Sequence, residues 1–263
     1  MTPASDTAQQ RKLITIASGK GGVGKTWLAV TLADALAQNG QRVLLFDGDL
    51  GLANVDIQLG LMPEQDVGDV INGTLDLPAA ITPFRGGAGR GGFDVLAGKS
   101  GSGALGTLSR DRLVSLKQGL VSLASDYDHV ILDLAAGVDP SVKILSDHGG
   151  TILVVLTADP TSMTDAYAYI KLTSSSEAPT DLRVVVNLAD SKRAGEKTYE
   201  ALRKACQAFL KISPSLAGVV RADKRVADAI RHQAPLLARH PQSVAAAGVV
   251  ALADGFREPA LAG

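Results

Sequence analysis

The chain has little cysteine, few aromatic residues and almost no net charge, and each shortage excludes a class of protein. Cys206 is the only cysteine among 263 residues, so neither an internal disulfide nor a two-cysteine metal motif can form. Aromatic residues make up 4% of the chain, which argues against the stacking platforms that bind single-stranded nucleic acid. The formal net charge of −1 implies no global attraction to nucleic acid or to acidic lipid.

Long apolar runs are also missing at the places where a leader or an anchor would need them. The N-terminus has no apolar core of a signal peptide, and the late apolar run from Val244 to Ala253 is too short to span a bilayer. We therefore expect a soluble, cytoplasmic protein. The tail from Val244 to Gly263 has Arg257 as its only basic residue, so we expect weak or no contact with membranes.

The charge is unevenly distributed along the chain. Between Asp181 and His240, Lys and Arg outnumber Asp and Glu by about two to one. Two interpretations stay open, a solvated basic surface and a weak patch for nucleic acid or another anionic partner. The balanced charge of the whole chain favours the first, so nucleic acid binding is disfavoured without being excluded.

The most informative feature that is present is a glycine-rich stretch beginning at residue 19. Its pattern, G-x-x-x-x-G-K-T, is that of a phosphate-binding loop, which predicts ATP or another nucleoside triphosphate with Mg²⁺ as the ligand. Glycines let backbone N–H groups turn inward around phosphate oxygens. We expect Lys25 to reach the β- and γ-phosphates and Thr26 to hold the metal. The predicted cofactor-binding residues of the loop are Gly19, Lys20, Gly21, Gly22, Val23, Gly24, Lys25 and Thr26.

The sequence on either side of the loop supports this interpretation. Residues 13–17 form a short apolar run rich in β-branched side chains, which predicts a strand. Leu28, Leu32 and Leu36 follow at spacings of four, which predicts a helix that packs one face on a sheet. Strand, glycine loop and helix in this order are the context that the motif requires.

Apolar strands alternate with helical patterns along most of the chain. This alternation implies right-handed crossovers and a parallel sheet, and strands that are apolar throughout imply helices on both faces. We therefore predict a doubly wound α/β fold with a mostly parallel sheet of about seven strands. The predicted strands are residues 13–17, 42–46, 93–97, 129–132, 151–156, 182–186 and 217–220.

No linker interrupts this pattern, so we expect a single domain over residues 1–263. Its core is expected to span about residues 12–240. Residues 1–11 are expected to be flexible, and residues 241–263 are expected to form a C-terminal helical tail.

Polar residues follow several of the predicted strands, at the edge of the sheet where such folds bind ligands. Asp133 suits the acidic position that anchors Mg²⁺, although a carboxylate capping the next turn is an alternative. Gly137 could offer its N–H to the γ-phosphate and move when that phosphate leaves. Asn187 could pair with the donor and acceptor edge of adenine, or it could simply form a turn.

Two more carboxylates, Asp47 and Asp49, come after the second strand, with a glycine between them. One can orient the attacking water while the other supports the metal shell, and we favour Asp49 for the water because it is further along the loop. An Asx turn without a catalytic part is the alternative. The predicted catalytic residues are Lys25 and Asp49, to which family resemblance alone adds Lys20.

These residues resemble the MinD/ParA superfamily of P-loop ATPases, whose deviant Walker A motif carries a lysine at the position of Lys20. Three stretches, residues 46–57, 132–138 and 159–171, are similar to the FlhG/FleN branch of flagellar-number regulators. The resemblance covers the chain from about Leu13 to Pro235. Two features depart from it: residues 6–11 only echo the branch's N-terminal activation motif, and Val220-Arg221 stands where relatives commonly have a proline.

The resemblance implies an ATPase that forms an ATP-dependent homodimer. Lys20 would cross the dimer interface and touch the nucleotide of the partner subunit, and a protein partner would stimulate slow hydrolysis. The output would be the placement or number of a large assembly, with flagellar assembly or regulatory proteins as partners. The alternative within the superfamily is a ParA-like DNA-partitioning or other cargo-positioning ATPase. An iron–sulfur scaffold would need bridging cysteines, and a small-molecule kinase would need an acceptor pocket, and the sequence indicates neither.

Overall fold

The computed structural model of the chain describes residues 8–49, 51–98, 108–174 and 180–256. In this part of the chain one sheet of eight strands runs through the middle of the molecule. The strands are β1 (Leu13–Ala17), β2 (Val43–Gly48), β3 (Ile81–Phe84), β4 (Phe93–Leu96), β5 (His129–Leu134), β6 (Thr151–Leu156), β7 (Asp181–Ala189) and β8 (Ser215–Arg221). Their order across the sheet is β3-β4-β2-β5-β1-β6-β7-β8.

Helices connect the strands and cover the sheet. They are α1 (Lys25–Gln38), α2 (Val55–Leu59), α3 (Val67–Ile71), α4 (Arg110–Leu123), α5 (Pro140–Ser146), α6 (Pro160–Thr173), α7 (Lys192–Leu210), α8 (Lys224–Arg231), α9 (Leu236–Arg239) and α10 (Val244–Asp254). A short 3₁₀-helix covers Leu77–Ala80. None of the helices that the structure describes combines the length and apolar character that crossing a bilayer requires.

Every neighbouring pair of strands is parallel except β3 with β4. The predicted doubly wound, mostly parallel α/β fold is therefore confirmed, with one strand more than the predicted seven. Sequence analysis missed β3 because Pro83 interrupts its apolar pattern. Proline is tolerated there because β3 is an edge strand, which does not need every backbone N–H for the ladder.

Both faces of the sheet are packed with helices. Strands β1, β2 and β6 are buried along their whole length. One apolar core lies between the sheet and α1, α2, α8, α9 and α10. A second core lies between the opposite face and α3 to α7, and it includes Cys206, which is fully buried. Phe209, on the same helix, has 77% of its surface exposed.

The C-terminal helix packs into the first core, beyond the residue near 240 where the core was expected to end. Helix α10 packs against β8 and α1, and its alanines and valines face the first core. Beyond it, the Phe256 ring lies between the His129 ring, at a centroid distance of 6.0 Å, and the Arg183 guanidinium, at 5.2 Å. At the other end of the chain residues 8–10 are helical, while the rest of the predicted flexible segment, residues 1–7, lies outside the described residues.

Candidate nucleotide-binding site

The glycine loop joins β1 to the N-terminus of α1, as the motif predicts. Gly22 and Gly24 have φ values of 77° and 87°, a left-handed conformation that favours glycine. Gly24 precedes α1 and gives it no side-chain cap, so the first backbone N–H groups of the helix are left for a ligand. The positive end of the helix dipole and these N–H donors lie at the same point, so the start of α1 is suited to bind an anion such as phosphate.

Asn187 lies beneath this loop. Its side chain is fully buried, and its Nδ2 donates to the Val23 carbonyl at 2.8 Å. A Cβ on Gly24 would come within 2.6 Å of the same Nδ2, so the amide and the loop are in close contact. The adenine contact stays a prediction, because the structure gives the amide nitrogen another partner and leaves only Oδ1 without one.

Asp133 and Asp47 face each other across β5 and β2, at the carboxyl edge of the sheet. Each has 1% of its surface exposed. Burial raises the pKa of Asp133 to about 7, although a hydrogen bond from the Thr26 side chain and the charge of Lys25 oppose the shift. Burial likewise raises the pKa of Asp47 to about 6.

The surroundings of Asp133 fit the predicted magnesium site. Thr26 contacts it directly, and Oδ1 of Asp133 is buried with no hydrogen-bond partner in the described part of the chain. Mg²⁺ typically uses one or two protein oxygens together with phosphates and water, so these two residues would suffice for the protein's share.

Lys25 lies close enough to the carboxylates of Asp133 and Asp49 to interact with their charges. Burial lowers the pKa of its ammonium, and the charges of Asp133 and Asp49 oppose that shift. A partly desolvated cation at the start of α1 would regain a strong partner when phosphate oxygens arrive. This arrangement brings together four predicted residues: Lys25, Thr26, Asp49 and Asp133.

Asp47 has a second role that sequence analysis missed. Its Oδ2 accepts from the backbone N–H groups of Asn54 and Val55, both at 2.9 Å, and its Oδ1 accepts from the N–H of Asp49. Asp47 therefore holds the loop that leads into α2, which limits what it can offer to a metal shell. The donors are backbone N–H groups, which residues of any type supply, so side-chain identities could not signal this contact.

Asp49 lies in the turn after β2. One of its oxygens, Oδ1, accepts from the N–H of Leu52 at 3.0 Å and more weakly from Gly51. This is the Asx-type turn named as the alternative, and it keeps the carboxylate near Lys25. The turn and the predicted role with water are compatible, because a carboxylate has lone pairs left over.

Gly137 and Lys20 are both bonded within the chain rather than directed at a ligand. The Gly137 N–H donates to the Ser18 carbonyl at 2.8 Å. The Lys20 ammonium donates to Asp159 Oδ2 at 3.0 Å and to the Thr161 hydroxyl. Lys20 and the hydroxyl and N–H of Thr161 hold the pKa of Asp159 at about 2. The pairing of Asp159 with Lys20 could not be predicted from the sequence, since the two residues lie 139 positions apart.

The chain is similar to known nucleotide-binding proteins over most of its length. The model of the CobQ/CobB/MinD/ParA nucleotide binding domain matches residues 14–236. The antiactivator FleN of Pseudomonas aeruginosa is 36% identical over 243 residues, which cover 92% of this chain and 85% of FleN. The flagellum site-determining protein YlxH of Helicobacter pylori is 32% identical over 206 residues, covering 77% of this chain and 66% of YlxH.

Solved structures show the same fold. MinD of Pyrococcus horikoshii, complexed with Mg-ADP, has a TM-score of 0.79 at 23% identity, covering 94% of this chain and 96% of MinD. A ParA family ATPase of Chlorobium tepidum has a TM-score of 0.77 at 21% identity, covering 95% of this chain and 100% of that protein. The predicted family, fold and nucleotide ligand are confirmed. The chain belongs to the CobQ/CobB/MinD/ParA nucleotide-binding family and is an ATPase of the MinD/ParA type.

Proposed function

We propose that this chain is a cytoplasmic, ATP-dependent dimerising switch that controls the number or placement of flagella. The observation that carries the proposal is a phosphate loop with the additional Lys20, in a chain similar over most of its length to FleN and YlxH. FleN is named an antiactivator, which favours regulation through a protein partner. The name of YlxH refers to the site of the flagellum, which favours an output in space or number.

Each residue of the site would have a separate role in ATP hydrolysis. Bound ATP with Mg²⁺ supplies the phosphoanhydride bond that is cleaved to ADP and phosphate. The backbone N–H groups at the start of α1 and Lys25 would bind the phosphates, and Thr26 with Asp133 would hold the metal. Asp49 would orient the attacking water.

The geometry also supports slow hydrolysis that a partner accelerates. Asp49 Oδ1 is bonded to the N–H of Leu52 in its own turn, so a contact that moves this turn would also move the carboxylate. A partner protein, or the second subunit, that contacts this turn would fix its orientation. Leu52 is 76% exposed and marks the turn as accessible to such contact.

Partitioning of DNA, the second candidate, is less well supported. The basic excess after residue 180 is partly neutralised within the same region, because Arg183 pairs with Asp181, Arg203 with Glu200 and Arg239 with Asp228. ATP-dependent and salt-sensitive binding to random duplex DNA would nevertheless favour that candidate over the flagellar one.

The decisive experiment is light scattering of the purified protein with ATP and Mg²⁺. We expect a dimer that persists in Asp49→Ala and decays as ATP is consumed in the unaltered protein. Asp126→Ala, which removes an exposed carboxylate remote from the loop, serves as the matched control and should behave like the unaltered chain. A protein that stays monomeric with ATP in the Asp49→Ala variant would refute the switch. Flagella counted per cell after deletion of the gene would test the output.

A further inference from the structure

One buried residue connects two segments of the site. Ser18 follows β1 directly and is fully buried. Its carbonyl accepts the Gly137 N–H at 2.8 Å, and its hydroxyl donates to the Lys20 carbonyl at 2.7 Å. Ser18 thus contacts both the turn that carries Lys20 and the loop of Gly137, whose N–H is expected to bind the γ-phosphate.

The side chain of Lys20 is held at the other end of this turn by α6. Asp159 caps that helix and pairs with the Lys20 ammonium at 3.0 Å, with 38% and 48% of the two side chains exposed. Gly19 packs directly on the backbone of Asp165, where no Cβ would fit. The contacts form one chain in the order Gly137, Ser18, Lys20 and Asp159.

We propose that Ser18 is a positioning residue that makes the release of Lys20 depend on the γ-phosphate, a role that rests on the proposed function above. Gly137 has a φ of 101° and open space on the side where a Cβ would lie, so its loop has room to move. To reach a γ-phosphate, its N–H must leave the Ser18 carbonyl. The buried carbonyl then lacks a donor, which is unfavourable, and the end of β1 must adjust.

That adjustment passes to Lys20 through the Ser18 hydroxyl. Of the contacts in the chain, the pair of Lys20 with Asp159 is the exposed one, and exposed ion pairs contribute little. It is therefore the first contact to break, which frees Lys20 to reach a second subunit. ADP has no γ-phosphate, so it leaves the chain of contacts intact and Lys20 bound to α6.

The test is dimerisation of Ser18→Ala measured by analytical ultracentrifugation, with ADP and with ATP. Loss of the hydroxyl removes the restraint on the Lys20 turn, so we expect the dimer to tighten about tenfold with ADP, the factor that one hydrogen bond commonly contributes. Dimerisation with ATP should change little. Ser125→Ala is the matched control, because its hydroxyl also donates to a backbone carbonyl, that of Ser122 at 2.9 Å, far from the loop.

A second variant separates this role from a purely structural one. Thr161→Val removes the other partner of the Lys20 ammonium from an exposed position that tolerates change. If one chain of contacts holds Lys20, the double variant with Ser18→Ala should gain little over Ser18→Ala alone, so the two effects are not additive. Additive effects, or a preference for ATP over ADP within twofold of the unaltered protein in Ser18→Ala, would overturn the inference.

Hydrogen exchange of the unaltered protein gives an independent readout, should Ser18→Ala fail to fold. On adding ATP, and not ADP, the Gly137 amide and the amides of residues 19–22 should change exchange rate together. A change at Gly137 with none at residues 19–22 would also overturn the inference. If the unaltered protein does not dimerise with ATP at all, it is the proposed function that fails.

Discussion

At the scale of single residues, the buried carboxylates of the site lower the stability of the folded protein. Asp133 has the largest effect, because burial raises its pKa to about 7 and the carboxylate of Asp47 lies opposite it on β2. A group whose folded pKa is raised in this way favours unfolding as its carboxylate ionises above the ordinary pKa near 4. Mg²⁺ would compensate for that charge, so function and stability oppose each other here.

Asp133→Asn should therefore separate the two properties. Hydrolysis is expected to fall about 100-fold or more, the scale seen when one electrostatic stabiliser is removed. In EDTA at pH 8 the variant should be more stable by about 1–3 kcal/mol, because a neutral amide replaces a buried carboxylate. Steady-state phosphate release and urea unfolding measure the two outcomes. A variant that loses both activity and stability would contradict the interpretation.

Most of the residues of the phosphate loop were predictable from the sequence, because a local pattern of glycines and a lysine specifies a local conformation. Ser18 and Asp159 were not, since their roles depend on contacts between segments far apart along the chain. Asn187 shows the same limit. The sequence placed it at the rim, while the strand register turned its amide beneath the loop.

At the scale of secondary-structure elements, His148 ties the segment before β6 to the central strand β1. Its Nδ1 accepts the N–H of Gly150 at 3.0 Å, so its Nε2 must carry the proton and donate to Thr15 Oγ1 at 2.8 Å. Burial lowers the pKa of His148 to about 4, with the charge of Lys117 acting in the same direction. The imidazole is therefore neutral in the folded protein.

Stability should fall as pH decreases from about 6.5 to about 4, because only the unfolded chain binds this proton in that window. The full loss attributable to His148 is about 3 kcal/mol. Urea unfolding at pH 7.5 and pH 5 measures it, and His148→Gln should show a shallower dependence on pH. An equal slope in the variant and the unaltered protein would assign the effect to other groups.

Helix α10 offers another test at this scale, because two adjacent valines differ in burial. Val249 is fully buried against the first core, and Val250 is 40% exposed. Val249→Ala should lower the free energy of unfolding by about 1–2 kcal/mol, while Val250→Ala should lower it by less than about 0.5 kcal/mol. Equal losses would mean that Val249 does not pack against the first core.

The long, regular helices and strands could be predicted from the spacing of apolar residues alone. The leucines of α4 at positions 113, 116, 120 and 123 are all buried, as their spacing predicts. What the sequence left undetermined is β3 and the packing of α10, at the margins of the fold. A proline hides the apolar pattern of β3. The side chains of α10 are apolar but small, and Ala and Gly allow close packing on β8.

At the scale of the whole molecule, the residues proposed to respond to nucleotide gather at one edge of the sheet and are joined by hydrogen bonds. Trp27 is the only tryptophan and follows Thr26, and its buried Nε1 has no hydrogen-bond partner among the residues that the structure describes. Its fluorescence is therefore expected to report on occupancy of the loop. This provides a measurement of binding that is independent of assembly.

The two lysines of the loop should separate binding from assembly. Lys25→Ala is expected to lose the fluorescence response to Mg-ATP, because the phosphates lose their main cation. Lys20→Ala should keep the response within about threefold in affinity and yet remain monomeric in light scattering, because Lys20 is proposed to serve the partner's nucleotide. A Lys20→Ala protein that dimerises normally would contradict this division.

The position of Phe256 decides where the chain leaves the described part of the fold. Its ring is clamped by His129 and Arg183, residues at the amino ends of β5 and β7, on the pole opposite the phosphate loop. A fluorescent reporter fused behind this residue would leave from that pole. The tag would therefore leave the nucleotide edge unobstructed, and assembly could be followed in living cells with the fusion in place.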